Sequence, residues 1–311
     1  DMMGNTIHNW DMLERGYTMH HAISQDKQGN ILATVSKTSA KIANGKDVRI
    51  NDFIIMMDPE KGEILQEWDL VHMLDSARYG MTDYDLTSDP FAQSASNWAH
   101  NNGIVEWGDD YLATARYQGI FKFNKAGGIE WIISPHGYWR DKYLKLLLNP
   151  LYADGTPITD PEVIAGTKNC DDFEWPWGCH TAVPLPNGHI LYFNNGYGRN
   201  FKLDFTDRKN IYTCGIEYEV DEVNRTVRQV WQYGKERGAA YFTPARSGVQ
   251  YLEQTGNRLI CPGMSNVLSN GNRGARVTEV DPETQDVVFE LELEDAIYQR
   301  VYRMSLYPEN Q

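Results

Sequence analysis

The sequence predicts an all-β protein, a β-propeller of four-stranded antiparallel blades. Three observations carry this reading. Short runs rich in Ile, Val, Tyr, Phe and Trp alternate with Gly, Asn and Asp turns along the 311 residues, which is the pattern of strands joined by tight turns. Helical periodicity is scarce, with one candidate around 138–148 (YWRDKYLKLLL) inside what reads as an insertion. Hairpin-sized segments also recur at long, near-constant spacing, the mark of a repeat architecture.

Each repeat holds two hairpins. The first kind is "HAISQDKQGNIL" from His21, "HNNGIVEWGDDYL" from His100 and "HTAVPLPNGHIL" from His180. In each, a glycine follows the histidine by eight residues, at Gly29, Gly108 and Gly188. A fourth copy, "GVQYLEQTGNRLI", runs from Gly248 to Gly256 with the same offset and no histidine. The starts lie 79, 80 and 68 residues apart. The second kind begins at an Asp or Asn turn: "DPEKGEILQEW" from Asp58, "NKAGGIEW" from Asn124, "DEVNRTVRQVW" from Asp221 and "DPETQDVVFE" from Asp281. "DMMGNTIHNW", from Asp1, reads as a fifth, and four of the five reach a tryptophan. Two hairpins make the four antiparallel strands of a blade. Residues 1–311 therefore read as one propeller domain: a trailing strand at 1–10, four blades, and a strand-like "RVYRMSLYP" at 300–308. A ring that begins in mid-blade reads as the N-terminally truncated part of a longer protein, six-bladed when whole.

Composition removes several function classes. The chain is 41% hydrophobic and 23% charged, enough apolar material for a large core. A net charge of −14 argues against nucleic acid as a partner. No apolar run approaches the roughly 18 residues that cross a bilayer, so no membrane is expected. The four cysteines form no CxxC pair, which disfavours a zinc ribbon or a thioredoxin-like motif. Cys170 and Cys179 could close a small disulfide loop before His180, and the alternative is four buried thiols. No GxxxxGK[ST] loop, strand–GxGxxG–helix unit or GxSxG elbow is present.

The histidines are the candidate site. Innermost propeller strands line the central channel, so His21, His100 and His180 are expected to converge on one axial point. His20, by strand alternation, is expected to face the other way. Arg116 lies four residues past a strand leucine and aligns with Asn195 in the next blade and Ser36 in the previous one. Three imidazoles and a guanidinium pack poorly in a core and suit an oxyanion. A lone strand histidine is ordinarily structural, but three at one repeat position are hard to ascribe to chance. His8, His72, His136 and His189 show no such register. The strand-ending tryptophans read as blade packing, while Trp98, Trp177, Tyr117 and Tyr197 could line an aromatic substrate mouth. Convergent histidines could equally hold a metal, although Arg116 beside them disfavours a cation. A non-catalytic binding propeller is a third reading.

The stretches "MHHAISQDKQGNIL", "SNWAHNNGIVEWGDDYLATARYQG", "WGCHTAVPLPNGHILYFNNG" and "YRMSLYP" resemble the bacterial aryl-sulfate sulfotransferases that do not use PAPS. The resemblance runs through the whole chain in order. It implies a six-bladed propeller that moves a sulfuryl group from a phenolic sulfate ester to a phenolic acceptor by a ping-pong route. His180 would become a sulfohistidine, with His21, His100 and Arg116 holding the sulfuryl oxygens and assisting the leaving phenolate. Asn102 matches a polar position of the family's site, and His20, Asn195, Trp177 and Tyr197 join it as substrate-binding candidates. No cofactor is implied, neither PAPS nor another nucleotide, and no metal. The family commonly carries a cysteine pair shortly before the nucleophile, the neighbourhood of Cys170 and Cys179. A periplasmic or secreted bacterial location follows from the same resemblance, and a homodimer stays open.

Overall fold

The computed structural model describes residues 3–44, 47–78, 98–203, 206–265 and 274–294. Four antiparallel sheets stand as consecutive blades of a β-propeller. The first contains β1 (Tyr17–Gln25), β2 (Ile31–Asn44), β3 (Asp47–Met57) and β4 (Ile64–Asp69). The second contains β5 (Asn101–Trp107), β6 (Asp110–Ala115), β7 (Gly119–Phe123) and β8 (Ile129–Ile133). In the third, β9 (Asn149–Leu151) comes from the insertion and pairs in parallel with the outer edge of β10 (His180–Pro184), β11 (Ile190–Asn194), β12 (Cys214–Asp221) and β13 (Thr226–Tyr233). The fourth contains β14 (Ser247–Tyr251), β15 (Arg258–Pro262), β16 (Gly274–Val280) and β17 (Val287–Glu294). The innermost strands neighbour one another in sequence order, β1 beside β5, β5 beside β10 and β10 beside β14.

Strand alternation explains how the blades stack. Leu32 of β2 and Ala113 of β6 pack between the first two blades. Leu112, one residue away, packs between the second and third, with Ile190 and Tyr192 of β11. Leu191 and Phe193 turn to the far face and meet Val249 and Ile260 of the fourth blade. Period-two apolar faces on both sides of each sheet are what stacked blades require.

The outer rim repeats one contact. Trp68 Nε1 donates to the carbonyl of Lys125 at 2.9 Å, and Trp131 Nε1 to Glu222 Oε1 at 2.7 Å. With the Gln285 amide turned so that its oxygen faces the indole, Trp231 Nε1 donates to it at 2.5 Å. Each indole thus stands on β4, β8 or β13 and reaches the turn of the following blade. The sequence expectation fails for residues 3–10, which carry no strand. Trp10 instead donates to the carbonyl of Pro59 at 3.1 Å, the same tie made without a ladder. His8 stacks on it with ring centroids 5.4 Å apart. The helical expectation at 138–148 shrinks to α1 (Asp141–Leu144), because Leu146 and Leu148 exchange backbone hydrogen bonds with Ile132 of β8. The segment 300–308 lies outside the described residues. No disulfide joins the four cysteines, of which Cys170 is half-buried and the others buried.

Candidate active site

The three repeat histidines meet where the middle of β1 comes together with the starts of β5 and β10. Each of these strands carries a break in register, midway along β1 between Met19 and Ile23, and at the start of β5 and β10 between Asn101 and Gly103 and between His180 and Ala182. His21, His100 and Thr181 take positive φ of 54°, 53° and 43°. A non-glycine residue held there is strained, and the surrounding structure must enforce it. The breaks also interrupt alternation, so side chains that a regular strand would send apart converge. The ring centroids of His21 and His100 lie 4.7 Å apart and those of His21 and His180 6.2 Å. His100 Nε2 and His21 Nε2 are 3.1 Å apart.

His20 departs from the alternation expected of it. Its Nδ1 is 3.1 Å from Nδ1 of His21, with the two rings edge-on. The positive φ of His21 is the physical reason, since it rotates one side chain towards the other.

His180 is 5% exposed and its Nδ1 lies 2.6 Å from Oδ1 of Asn195. The Asn195 amide is oriented by its other contacts, because Nδ2 donates to the carbonyl of Thr243 at 2.8 Å and to Ser247 Oγ at 3.0 Å. A carbonyl only accepts, so the Asn195 oxygen faces His180 and Nδ1 of the imidazole must carry the proton. Nε2 is then the atom with the lone pair. Thr243 and Ser247 left no signal in the sequence, because they come from the fourth blade and the segment before it.

Arg116 is buried, and its backbone N–H donates to the carbonyl of His100 at 3.0 Å. Its Nη2 donates to the carbonyl of Pro244 at 2.7 Å, and its guanidinium lies 4.6 Å from the ring centre of Tyr197. Gly178 lets this happen at φ +61°, since a Cβ there would come within 3.0 Å of the Tyr197 side chain. Tyr117 meets His100 edge-on at 6.1 Å.

Asn102 is buried with its amide engaged. Nδ2 donates to the carbonyl of Cys179 at 2.8 Å, and Oδ1 accepts from Thr114 Oγ1 at 2.7 Å. It stitches the second blade to the residue preceding His180. Trp177 is buried against Phe201, their centroids 5.2 Å apart, and its backbone N–H donates to Asn194 Oδ1 at 2.9 Å. Trp98 is buried between the first two blades.

Electrostatics separate the members. Burial, and then the neighbouring His21, Arg116, His180 and His20, hold His100 well below the usual imidazole range. The Cys179 thiol is pushed up to about 12 by burial, so it is a poor thiolate nucleophile despite adjoining His180. Among the described residues no group of three or more His, Cys, Asp or Glu has the arrangement of a metal site. No helix among them is long and apolar enough to cross a membrane.

Known proteins bear on this geometry. A family model described as arylsulfotransferase (ASST) matches residues 1–303. The chain is similar to the arylsulfate sulfotransferase AssT of Escherichia coli O6:H1, 29% identical over 337 residues, covering 98% of this chain and 56% of the relative. It is likewise similar to the arylsulfate sulfotransferase AssT of Lelliottia amnigena, 30% identical over 338 residues with the same coverage. The chain thus spans about half the length of the curated relatives it matches. A europium-containing methanol dehydrogenase superimposes with a TM-score of 0.45 at 11% identity, over 92% of this chain and 48% of that one, a likeness too slight to bear on the chemistry.

Proposed function

The chain belongs to the arylsulfotransferase family, and from that membership we propose that it moves a sulfuryl group from a phenolic sulfate ester to a phenolic acceptor through a sulfohistidine on His180. The observation that carries the reading is the capped imidazole: Nδ1 of His180 faces Asn195 Oδ1 at 2.6 Å, which leaves Nε2 as the attacking atom. Its lone pair forms the N–S bond while the ester S–O bond breaks, the pair staying on the departing phenolate. The imidazolium that results is stabilised by the Asn195 oxygen. Acceptor phenol then attacks sulfur, and the N–S pair returns to Nε2.

Sulfuryl transfer, like phosphoryl transfer, passes through a loose transition state in which positioning and charge stabilisation dominate. Arg116, buried against Tyr197, supplies a fixed positive charge and planar donors to the sulfuryl oxygens. His21 and His100 share the remaining oxygens and the proton traffic. Splitting the transfer into two histidine steps means that two bulky phenols never need to meet. Asn195 serves as a positioning residue rather than a substrate contact, and Asn102 holds the backbone before His180. The four blades belong, in this reading, to a six-bladed ring.

The test is intact mass of the full-length protein after 4-nitrophenyl sulfate alone. A gain of one sulfuryl group, discharged by added phenol and missing in His180→Asn, is expected. His180→Asn should also lower phenol-dependent transfer by at least about 10³-fold. Release of nitrophenol by the folded wild type with no adduct, or an undiminished His180→Asn variant, overturns the proposal.

A further inference from the structure

Asp52 lies beside this site, and nothing above uses it. It is 6% exposed at the start of the regular part of β3, opposite Ser36 in register. One carboxylate oxygen, Oδ2, accepts from the backbone N–H of Asn101 at 3.0 Å, the residue after His100. The other, Oδ1, faces His20 Nε2 at 3.5 Å. Among the described residues His20 is the only basic side chain within ion-pair reach of Asp52. A buried carboxylate with a single basic neighbour is costly unless that neighbour is held against it.

We propose that Asp52 and His20 complete a proton relay, Asp52–His20–His21–His100, which lends a proton to the departing phenolate and recovers it from the acceptor phenol. This rests on the sulfuryl-transfer reading above and adds the source of its proton. The groups run end to end: His20 Nε2 stands at ion-pair distance from Asp52 Oδ1, 3.5 Å and without a hydrogen bond, while His20 Nδ1 to His21 Nδ1 and His21 Nε2 to His100 Nε2 are each 3.1 Å. Both ring nitrogens of His21 are engaged, and His20 is engaged through Nδ1 with its Nε2 turned towards Asp52.

The carboxylate sets the direction of the chain. An ionised Asp52 only accepts, so His20 carries its proton on Nε2 and leaves Nδ1 bare. His21 must then donate from Nδ1, which leaves its Nε2 bare to accept from Nε2–H of His100. One added proton travels this chain by successive transfer from ring to ring. Burial and the charges of Arg116 and the other imidazoles make His100 a poor resting place for it, whereas His20 lies against the carboxylate. The proton is therefore stored at the His20 end and spent at the His21–His100 end.

The balance closes over one cycle. In the first half-reaction the singly protonated chain gives one proton to the phenolate oxygen as the S–O bond breaks, which leaves all three imidazoles neutral beside the Asp52 carboxylate. In the second, the acceptor phenol returns one proton to the chain as its oxygen bonds to sulfur. Asp52 and His20 are positioning residues, since they act through His21 and His100.

The experiment follows the first half-reaction of the full-length protein with aryl sulfates whose phenols span a range of acidity, in wild type, Asp52→Asn and His20→Gln. Poor leaving groups need the proton most. The rate for alkyl-substituted phenyl sulfates should fall about 10- to 100-fold, a loss at the lower end of what general acid catalysis contributes. The rate for 4-nitrophenyl sulfate should fall only about threefold. The plot of log rate against phenol pKa then steepens equally in both variants, and the double variant is no worse than either single one. A uniform loss across all donors, or an unchanged slope, overturns the relay while leaving sulfuryl transfer standing. A wild type that transfers from no donor brings down the parent reading and the relay with it. Nitrogen NMR of the wild-type imidazoles is a second readout that needs no variant. In the resting, singly protonated chain, protons on both nitrogens of His20, on Nε2 of His21 and on Nδ1 of His100 are expected, and any other set overturns the proposal.

Discussion

The outer and inner rims of the propeller use one repeat in opposite ways. At the outer rim Trp10, Trp68, Trp131 and Trp231 each give an indole N–H to the turn that follows. They differ in backbone setting, since Trp10 sits in no strand, yet they do the same job. At the inner rim His21, His100 and His180 start from one repeat position and end with different partners. His180 is capped by Asn195, whereas His21 and His100 contact one another. The fourth blade has no histidine there, and Ser247 at that strand start supports Asn195 instead. The lesson is that the outer ties are alike and separable, while the inner residues act as one unit.

Editing the inner rim should therefore change chemistry first. Arg116→Lys removes the planar paired donors and keeps the charge, and transfer should fall about 10²-fold or more in initial-rate assays. A lysine variant with near wild-type rates would mean that a point charge suffices. Asn195→Ala frees the His180 tautomer, and kcat should fall about tenfold or more with KM little changed. Equal losses in both parameters would instead make Asn195 a substrate contact.

The outer rim should show the reverse. Trp131→Phe deletes the hydrogen bond to Glu222, which is partly solvent-exposed, and denaturant unfolding should report a loss of about 1–2 kcal/mol. Its transfer rate should stay within about twofold of wild type. A Trp131→Phe variant that loses activity but not stability would erase the contrast between the rims.

The smallest expected effect is on stability against pH. His100 binds a proton less readily folded than unfolded. Its contribution to stability is therefore whole above the unfolded pKa of about 6.5, and it is lost as pH falls below that towards the lower folded value. In thermal melts His100→Gln should lose less stability than wild type on acidification through this window. An identical acid-side slope in both would show that folding does not lower the proton affinity of His100.

Much of this was legible along the chain. The eight-residue glycine offset identified three histidines of one register, and the paired hairpins of each repeat gave the four-stranded blades. The trailing strand at 1–10 was misread because the tryptophan tie is what repeats there, and a side-chain contact survives without the ladder that usually carries it. His20 was assigned to the wrong side because the positive φ of His21 breaks the alternation on which that assignment relied. Asp52 went unnoticed although it pairs with Ser36, the very position aligned with Arg116 and Asn195. The register between β2 and β3 was not available from spacing alone.

The sequence by itself determined the blades, the strand faces and the histidine positions, because these rest on periodicity and on turn chemistry, which are local. Only the tertiary structure decided what each imidazole does. Protonation and reach depend on which atom stands at hydrogen-bond distance from each ring nitrogen. Those atoms come from residues far away in sequence: Asn195 turned by Thr243 and Ser247, Arg116 held by Pro244, and Asp52 set against His20.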